Sequence, residues 1–120
     1  MKKLTKKEEE IMQEIWKQGK AFIKDIVDAL PAPKPHYNTV STVLKILQEK
    51  GFVDYVKYGN VYQYFPVVSI DAYKTEEVDD LLEKYFDNSY VNMIAHFAKK
   101  QDMDQKEIDE IIKLIKSNKS

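Results

Sequence analysis

The sequence predicts a mainly α-helical protein with a small β-hairpin: a winged helix-turn-helix domain over residues 1–68, then a helical region over 69–120. Three observations carry that expectation. Apolar residues recur at helical spacing in three segments before Gly51. Two β-branched and aromatic runs then flank the pair Gly59-Asn60. From Ser69 onward glycine disappears and the spacing is helical again. The chain has 120 residues, 43% hydrophobic and 32% charged, which suits one compact domain with an appendage and excludes a disordered chain. Cysteine is absent, so disulfides, thiolate metal sites and cysteine nucleophiles are excluded. No apolar run approaches the roughly 18 residues that span a bilayer, and the lysine-rich start lacks an apolar stretch after it. The expectation is a cytoplasmic protein without membrane insertion.

In chain order, Thr5 and Glu8 form a capping-box pattern that opens a first helix. Ile11, Met12, Ile15 and Trp16 line its inner face, and it ends near Gly19. Trp16, at that spacing, is read as core rather than as a ligand-stacking residue. A second helix runs from Phe22 to Leu30, with Ile23, Ile26, Val27 and Leu30 inward; Pro31, Pro33 and Pro35 stop it and stiffen the connector. The third helix lies within His36–Val53, where Val40, Val43, Leu44 and Leu47 mark a single buried stripe and Gly51 closes the end. Three helices, the third after a tight connector, form a helix-turn-helix. Two strands follow, Val53–Tyr58 and Val61–Phe65, ended by Pro66. A hairpin immediately after a helix-turn-helix is a wing.

The third helix carries the functional signal. Asn38, Ser41, Thr42 and Lys45 lie mostly off the apolar stripe. A helix with an apolar back and a short, nearly uncharged polar front is suited to a DNA major groove, where it reads base edges at close range. Charge is split to match: residues 1–66 hold 11 lysines and 8 acids, residues 67–120 hold 8 and 12, within a net charge of −1. No residue is arginine, so any guanine contact falls to lysine or an amide. His36 beside the helix is read as a phosphate or solvent contact, and Lys57, Tyr58 and Asn60 are the residues at or next to the wing tip.

In the second half, Val78, Leu81, Leu82, Tyr85 and Phe86 are expected on one stripe. After a break at Asn88-Ser89, Tyr90, Val91, Met93, Ile94, Phe97 and Ala98 form a shorter helix. Asp104 to Glu107 is a second cap-like start, followed by Ile108, Ile111, Ile112 and Ile115, with Lys113, Lys116 and Lys119 at the C-terminal end. So few residues cannot bury so many apolar stripes alone, and a homodimer in which this region is the dimerisation region resolves the excess. Paired recognition helices would then read double-stranded DNA as an inverted repeat.

The chain resembles the penicillinase-repressor family of winged-helix regulators (the BlaI/MecI group). The resemblance is carried by LTKKEEEIMQEIW at 4–16, DIVDAL at 25–30, YNTVSTVLKILQEKGFV at 37–53, YQYFPV at 62–67 and VNMIAHFAKKQDMDQKEIDEI at 91–111. It implies a homodimeric repressor on inverted-repeat operators near antibiotic-resistance or stress genes. The implied DNA contacts are Asn38, Thr39, Ser41 and Thr42, with Lys45 nearby; some members carry arginine where this chain has Ser41. It also implies a membrane-bound sensor metalloprotease as partner, and relief of repression by cleavage of an Asn–Phe bond in the dimerisation region. The matching pair here is His96–Phe97, with the phenylalanine kept and the asparagine replaced. Copper-responsive relatives end in a cysteine-rich motif, which this chain lacks.

Other readings stay open at this stage. A ligand-responsive repressor would use Tyr85, Phe86, Tyr90 and Phe97 as pocket walls, although an aromatic dimer core explains them more simply. A winged-helix module that binds protein would suit the weak net charge. An enzyme is disfavoured, because His36 and His96 are far apart and no phosphate loop or His/carboxylate motif is present. Asp79-Asp80 and Asp102/Asp104 read as solvated helix starts rather than a cation site, and His96 as a partly buried interface residue rather than a ligand. No metal and no cofactor are expected.

Overall fold

A computed structural model describes residues 1–117, except the side chains of Ile115 and Lys116. Ile115 on the last stripe, and Lys116 and Lys119 of the expected basic end, therefore lie outside the described side chains. The chain divides into two compact units, Met1–Thr75 and the remainder from Glu76.

The first unit begins with α1 (Lys6–Gln18), opened by the expected reciprocal cap. The Glu8 amide donates to Thr5 Oγ1 at 3.2 Å and the Thr5 amide donates to Glu8 Oε1 at 2.9 Å. Gly19 closes the helix at φ 80°, a left-handed conformation that glycine adopts without a Cβ penalty. Next comes an element absent from the sequence reading: a two-residue strand, β1 (Ala21–Phe22). Phe22 is extended and pairs with Gln63, so α2 starts one residue later than expected, at Ile23, and ends at Ala29. The Asp25 carboxylate accepts from the Phe22 amide at 3.0 Å and secures that start.

Helix α3 spans Tyr37–Glu49 with His36 as N-cap. Val40, Leu44 and Leu47 are buried, Val43 is half-buried against the same core, and Gly51 follows the helix at φ 82°. Strands β2 (Val53–Tyr58) and β3 (Val61–Pro66) pair antiparallel about Gly59-Asn60, the two-residue turn expected, with Gly59 at φ 60°. Because β1 adds to the far edge of β3, the expected hairpin is a three-stranded sheet of order β1-β3-β2. Helices α1–α3 and this sheet enclose one core that includes Ile11, Ile15, Ile26, Leu44, Phe52 and Tyr64. This is a winged helix.

Helix α4 (Ile70–Tyr85) starts within the first unit. Tyr73 lies in the winged-helix core, its ring 5.3 Å from Trp16 and 5.9 Å from Phe52, and its hydroxyl donates to Glu9 Oε2 at 2.7 Å. Trp16 is half-buried against that core and its indole N–H donates to the Val68 carbonyl at 2.9 Å, which is a core role. The division of units falls after Thr75 because Tyr73 packs inward here.

The second unit holds the rest of α4, then α5 (Tyr90–Lys100) and α6 (Gln105–Ser117). The break falls at Asp87 and Asn88, both at positive φ, one residue earlier than the expected Asn88-Ser89, and the Ser89 hydroxyl caps α5 by accepting from the Asn92 amide. Asp104 accepts from the Glu107 amide at 2.9 Å, as its cap-like position implies. The expected α4 stripe is only partly realised. Leu82 is buried, but Tyr85 is 64% exposed and Phe86 lies beyond the helix end, with its ring 5.6 Å from His96. No residue of α5 is buried, and Val91 is 76% exposed.

Candidate nucleic-acid interface

Helix α3 is positioned at both ends. At its C-terminus, the Lys50 ammonium donates to Glu8 Oε1 at 2.6 Å and to the Lys3 carbonyl at 2.8 Å, tying the helix to the start of α1. Burial raises the pKa of the Glu8 carboxyl; bonds from Lys50 and the Thr5 amide outweigh this and leave it below the ordinary glutamate value. At its N-terminus, the His36 carbonyl accepts from the Thr39 amide at 3.0 Å and the Val40 amide at 3.2 Å. The His36 side chain forms no cap, so the Tyr37 and Asn38 amides, which precede these bonds, can donate outward.

The buried stripe turns the polar residues outward. Asn38, Thr39, Thr42 and Lys45 are exposed and Ser41 is half-buried, so its contribution to any interface is smaller than its sequence position suggests. The Thr42 hydroxyl donates to the Asn38 carbonyl at 2.9 Å, one turn back. Its proton is thus engaged, leaving lone pairs and a methyl group to face a partner. Exposed Tyr37 and Ile46 belong to the same helix and were absent from the sequence reading of the site.

Lys57 and Tyr58 end β2 and Asn60 lies in the turn; all three are exposed. The Lys57 ammonium sits 5.9 Å from the centroid of the Tyr62 ring, opposite it across the hairpin. Tyr55 meets Tyr62 at 4.7 Å and Tyr64 at 5.6 Å, forming an aromatic support beneath the wing. Burial, with neighbouring Tyr55, Tyr62 and Tyr37, raises the pKa of the Tyr64 hydroxyl and keeps it neutral. The start of α3 and the wing flank a cleft of about 400 Å³, lined by Phe22, Ile23, Lys24, Tyr37, Val61 and Tyr62 among others. Alternation along the strands could have indicated Tyr55 and Tyr62; Phe22 gave no such signal, because β1 is only two residues long, and Lys24 lies at the start of α2.

His96 and Phe97 lie in mid-α5, in the other unit. Both are exposed in the single chain, their rings 5.4 Å apart. Among the described residues, no three His, Cys, Asp or Glu side chains converge as a metal site. No helix of the described residues is long and apolar enough to cross a membrane.

Comparison with known proteins agrees with this architecture. The profile of a family described as penicillinase repressor matches residues 4–117. The methicillin resistance regulatory protein MecI of Staphylococcus aureus (strain N315) is 26% identical over 109 residues, covering 90% of this chain and 89% of that protein. The penicillinase repressor of Bacillus licheniformis is 24% identical over 116 residues, covering 92% and 88%. The solution structure of the DNA-binding domain of the repressor BlaI aligns with a TM-score of 0.52 at 28% identity, spanning 61% of this chain and 94% of that one. These names are those of regulators rather than enzymes. The match over residues 4–117, on a winged helix with the expected cap, turn and buried α3 stripe, places this chain in the penicillinase repressor family.

Proposed function

We propose that the protein is a homodimeric transcriptional repressor that binds an inverted-repeat operator near resistance or stress genes. The carrying observation is the exposed, nearly uncharged polar opening of α3 (Asn38, Thr39, Thr42) beside a cleft whose other wall is the wing. In this reading α3 enters the major groove, with Asn38 the residue best suited to adenine, and Lys57 at the wing reaches phosphate. The winged helix of residues 1–68 is the DNA-binding domain and residues 69–120 form the dimerisation region. Support for the dimer comes from apolar side chains that one chain leaves in water: Tyr85, Tyr90, Val91, Phe97, Ile112 and Leu114. Relief of repression is assigned to a sensor protease that cuts at His96–Phe97. The pair is exposed but helical, so cutting requires α5 to open locally. Loss of the dimer would lower affinity steeply, because the second half-site is met at high effective concentration only while the two winged helices are linked.

The test is a titration of the purified protein against duplex DNA from upstream of its own gene, at two salt concentrations, with scrambled DNA as control. Expected is tight binding at two chains per inverted repeat, with log K falling by about 0.9 per phosphate contact for each decade of salt. Absent or salt-insensitive binding refutes the operator reading and leaves a winged helix that binds protein.

A further inference from the structure

Lys34 lies in the turn between α2 and α3, two residues before the N-cap His36. Being basic, exposed and next to the recognition helix, it is an obvious candidate for a phosphate contact. The geometry gives it a different task. Its ammonium donates to the Asp28 carbonyl at 2.6 Å, the Leu30 carbonyl at 2.8 Å and the Val27 carbonyl at 3.4 Å. An ammonium has three N–H donors, and all three are engaged. The acceptors are the last carbonyls of α2 and its cap, where the helix dipole is negative; the Val27 carbonyl also accepts from the Leu30 amide at 3.3 Å, so Asp28 and Leu30 are the ones the helix end leaves for a side chain.

The prolines that stiffen the turn also leave it few backbone donors. Pro31, Pro33 and Pro35 have no amide proton, so between Leu30 and His36 only Ala32 and Lys34 carry a backbone donor. The Lys34 side chain instead loops back onto α2, and a single residue, Pro35, separates its backbone from the N-cap of α3.

We propose that Lys34 is a positioning residue for operator binding: it fixes the first turn of α3 against the last turn of α2 and makes no phosphate contact. The inference rests on the operator reading above. Three carbonyls converging on one nitrogen fit an ammonium, whereas the planar fork of arginine spreads its donors.

The experiment compares the intact wild-type protein with Lys34→Met, Lys34→Arg and Lys57→Gln on the upstream duplex over a range of salt. Each is measured well below its own unfolding temperature, followed by circular dichroism. For Lys34→Met, affinity is expected to fall about tenfold while the salt slope stays at the wild-type value. Lys57→Gln is expected to lower the slope by about 0.9, the signature of one lost phosphate contact. Lys34→Arg keeps the charge and is expected to lose affinity as well. If Lys34→Met lowers the slope as Lys57→Gln does, or Lys34→Arg binds like wild type, Lys34 is a phosphate contact and the proposal fails. Unchanged affinity of a folded Lys34→Met, with only its unfolding temperature lowered, would show a cap that stabilises α2 alone and would also overturn it. Should Lys34→Met not fold, Lys34→Arg decides. A wild-type protein that binds no DNA removes the operator reading and this inference together, an outcome distinct from all the others.

Discussion

Replacing Glu8 with glutamine tests how α3 is anchored. Glu8 is 5% exposed, and its carboxylate accepts from the Lys50 ammonium at 2.6 Å and the Thr5 amide at 2.9 Å. Glutamine preserves the shape and can still accept from Thr5, so the principal loss is the charge facing Lys50. A hydrogen bond between charged groups contributes about 1.5–3 kcal/mol, and the neutral amide recovers part of it. We therefore expect Glu8→Gln to destabilise the winged helix by about 1–2 kcal/mol at pH 7. At about 4–8 °C per kcal/mol for a domain of this size, the unfolding temperature should fall by roughly 4–16 °C. Glu8→Ala, which also removes half of the capping box, should cost about 1 kcal/mol more.

The pH dependence follows from the direction of the Glu8 shift. Its folded-state pKa lies below the unfolded value, because the Lys50 and Thr5 bonds outweigh burial. The resulting stability is fully present above the unfolded pKa, about 4.3 for glutamate, and is lost as pH falls through the folded value. Wild type and Glu8→Gln should therefore differ by a constant amount from pH 7 to about 5 and converge on further acidification. Chemical denaturation across this range, with a double-mutant cycle through Lys50→Met, measures both quantities. Equal stability at pH 7, or a gap that persists unchanged into acid, would refute the anchoring argument.

Three further outcomes are expected. Leu44→Ala, at a fully buried position on α3, should cost about 2–5 kcal/mol in denaturant unfolding. Asn38→Ala, at an exposed position, should leave stability within about 0.5 kcal/mol. In competition with single-base operator variants it should relax discrimination at one position by about 1–3 kcal/mol; unchanged discrimination would exclude Asn38 as a base-reading residue. Val91→Glu with Leu114→Glu should convert a dimer to monomer in sedimentation equilibrium without lowering the unfolding temperature of the winged helix. A variant that remains dimeric would move the interface elsewhere.

Sequence alone determined the elements whose causes are local. Thr5 and Glu8 specify a cap by their spacing, Gly59-Asn60 a two-residue turn by its backbone freedom, and the stripe Val40, Leu44 and Leu47 the inward face of α3. Once that stripe is known, the outward position of Asn38, Thr39 and Thr42 follows from helical geometry. Tertiary structure decided what depends on partners far along the chain. Strand β1 exists because the edge of β3 is there to pair with it; two residues have no periodicity to read. Tyr73 packs beside Trp16 and Phe52, so the compact unit runs into α4 rather than stopping at the wing. Lys34 and Lys50 look like any other surface lysines in the sequence. Only the converging carbonyls of α2 and the buried Glu8 make them the two clamps that hold α3, because a flexible side chain finds its acceptors only after the backbone has placed them.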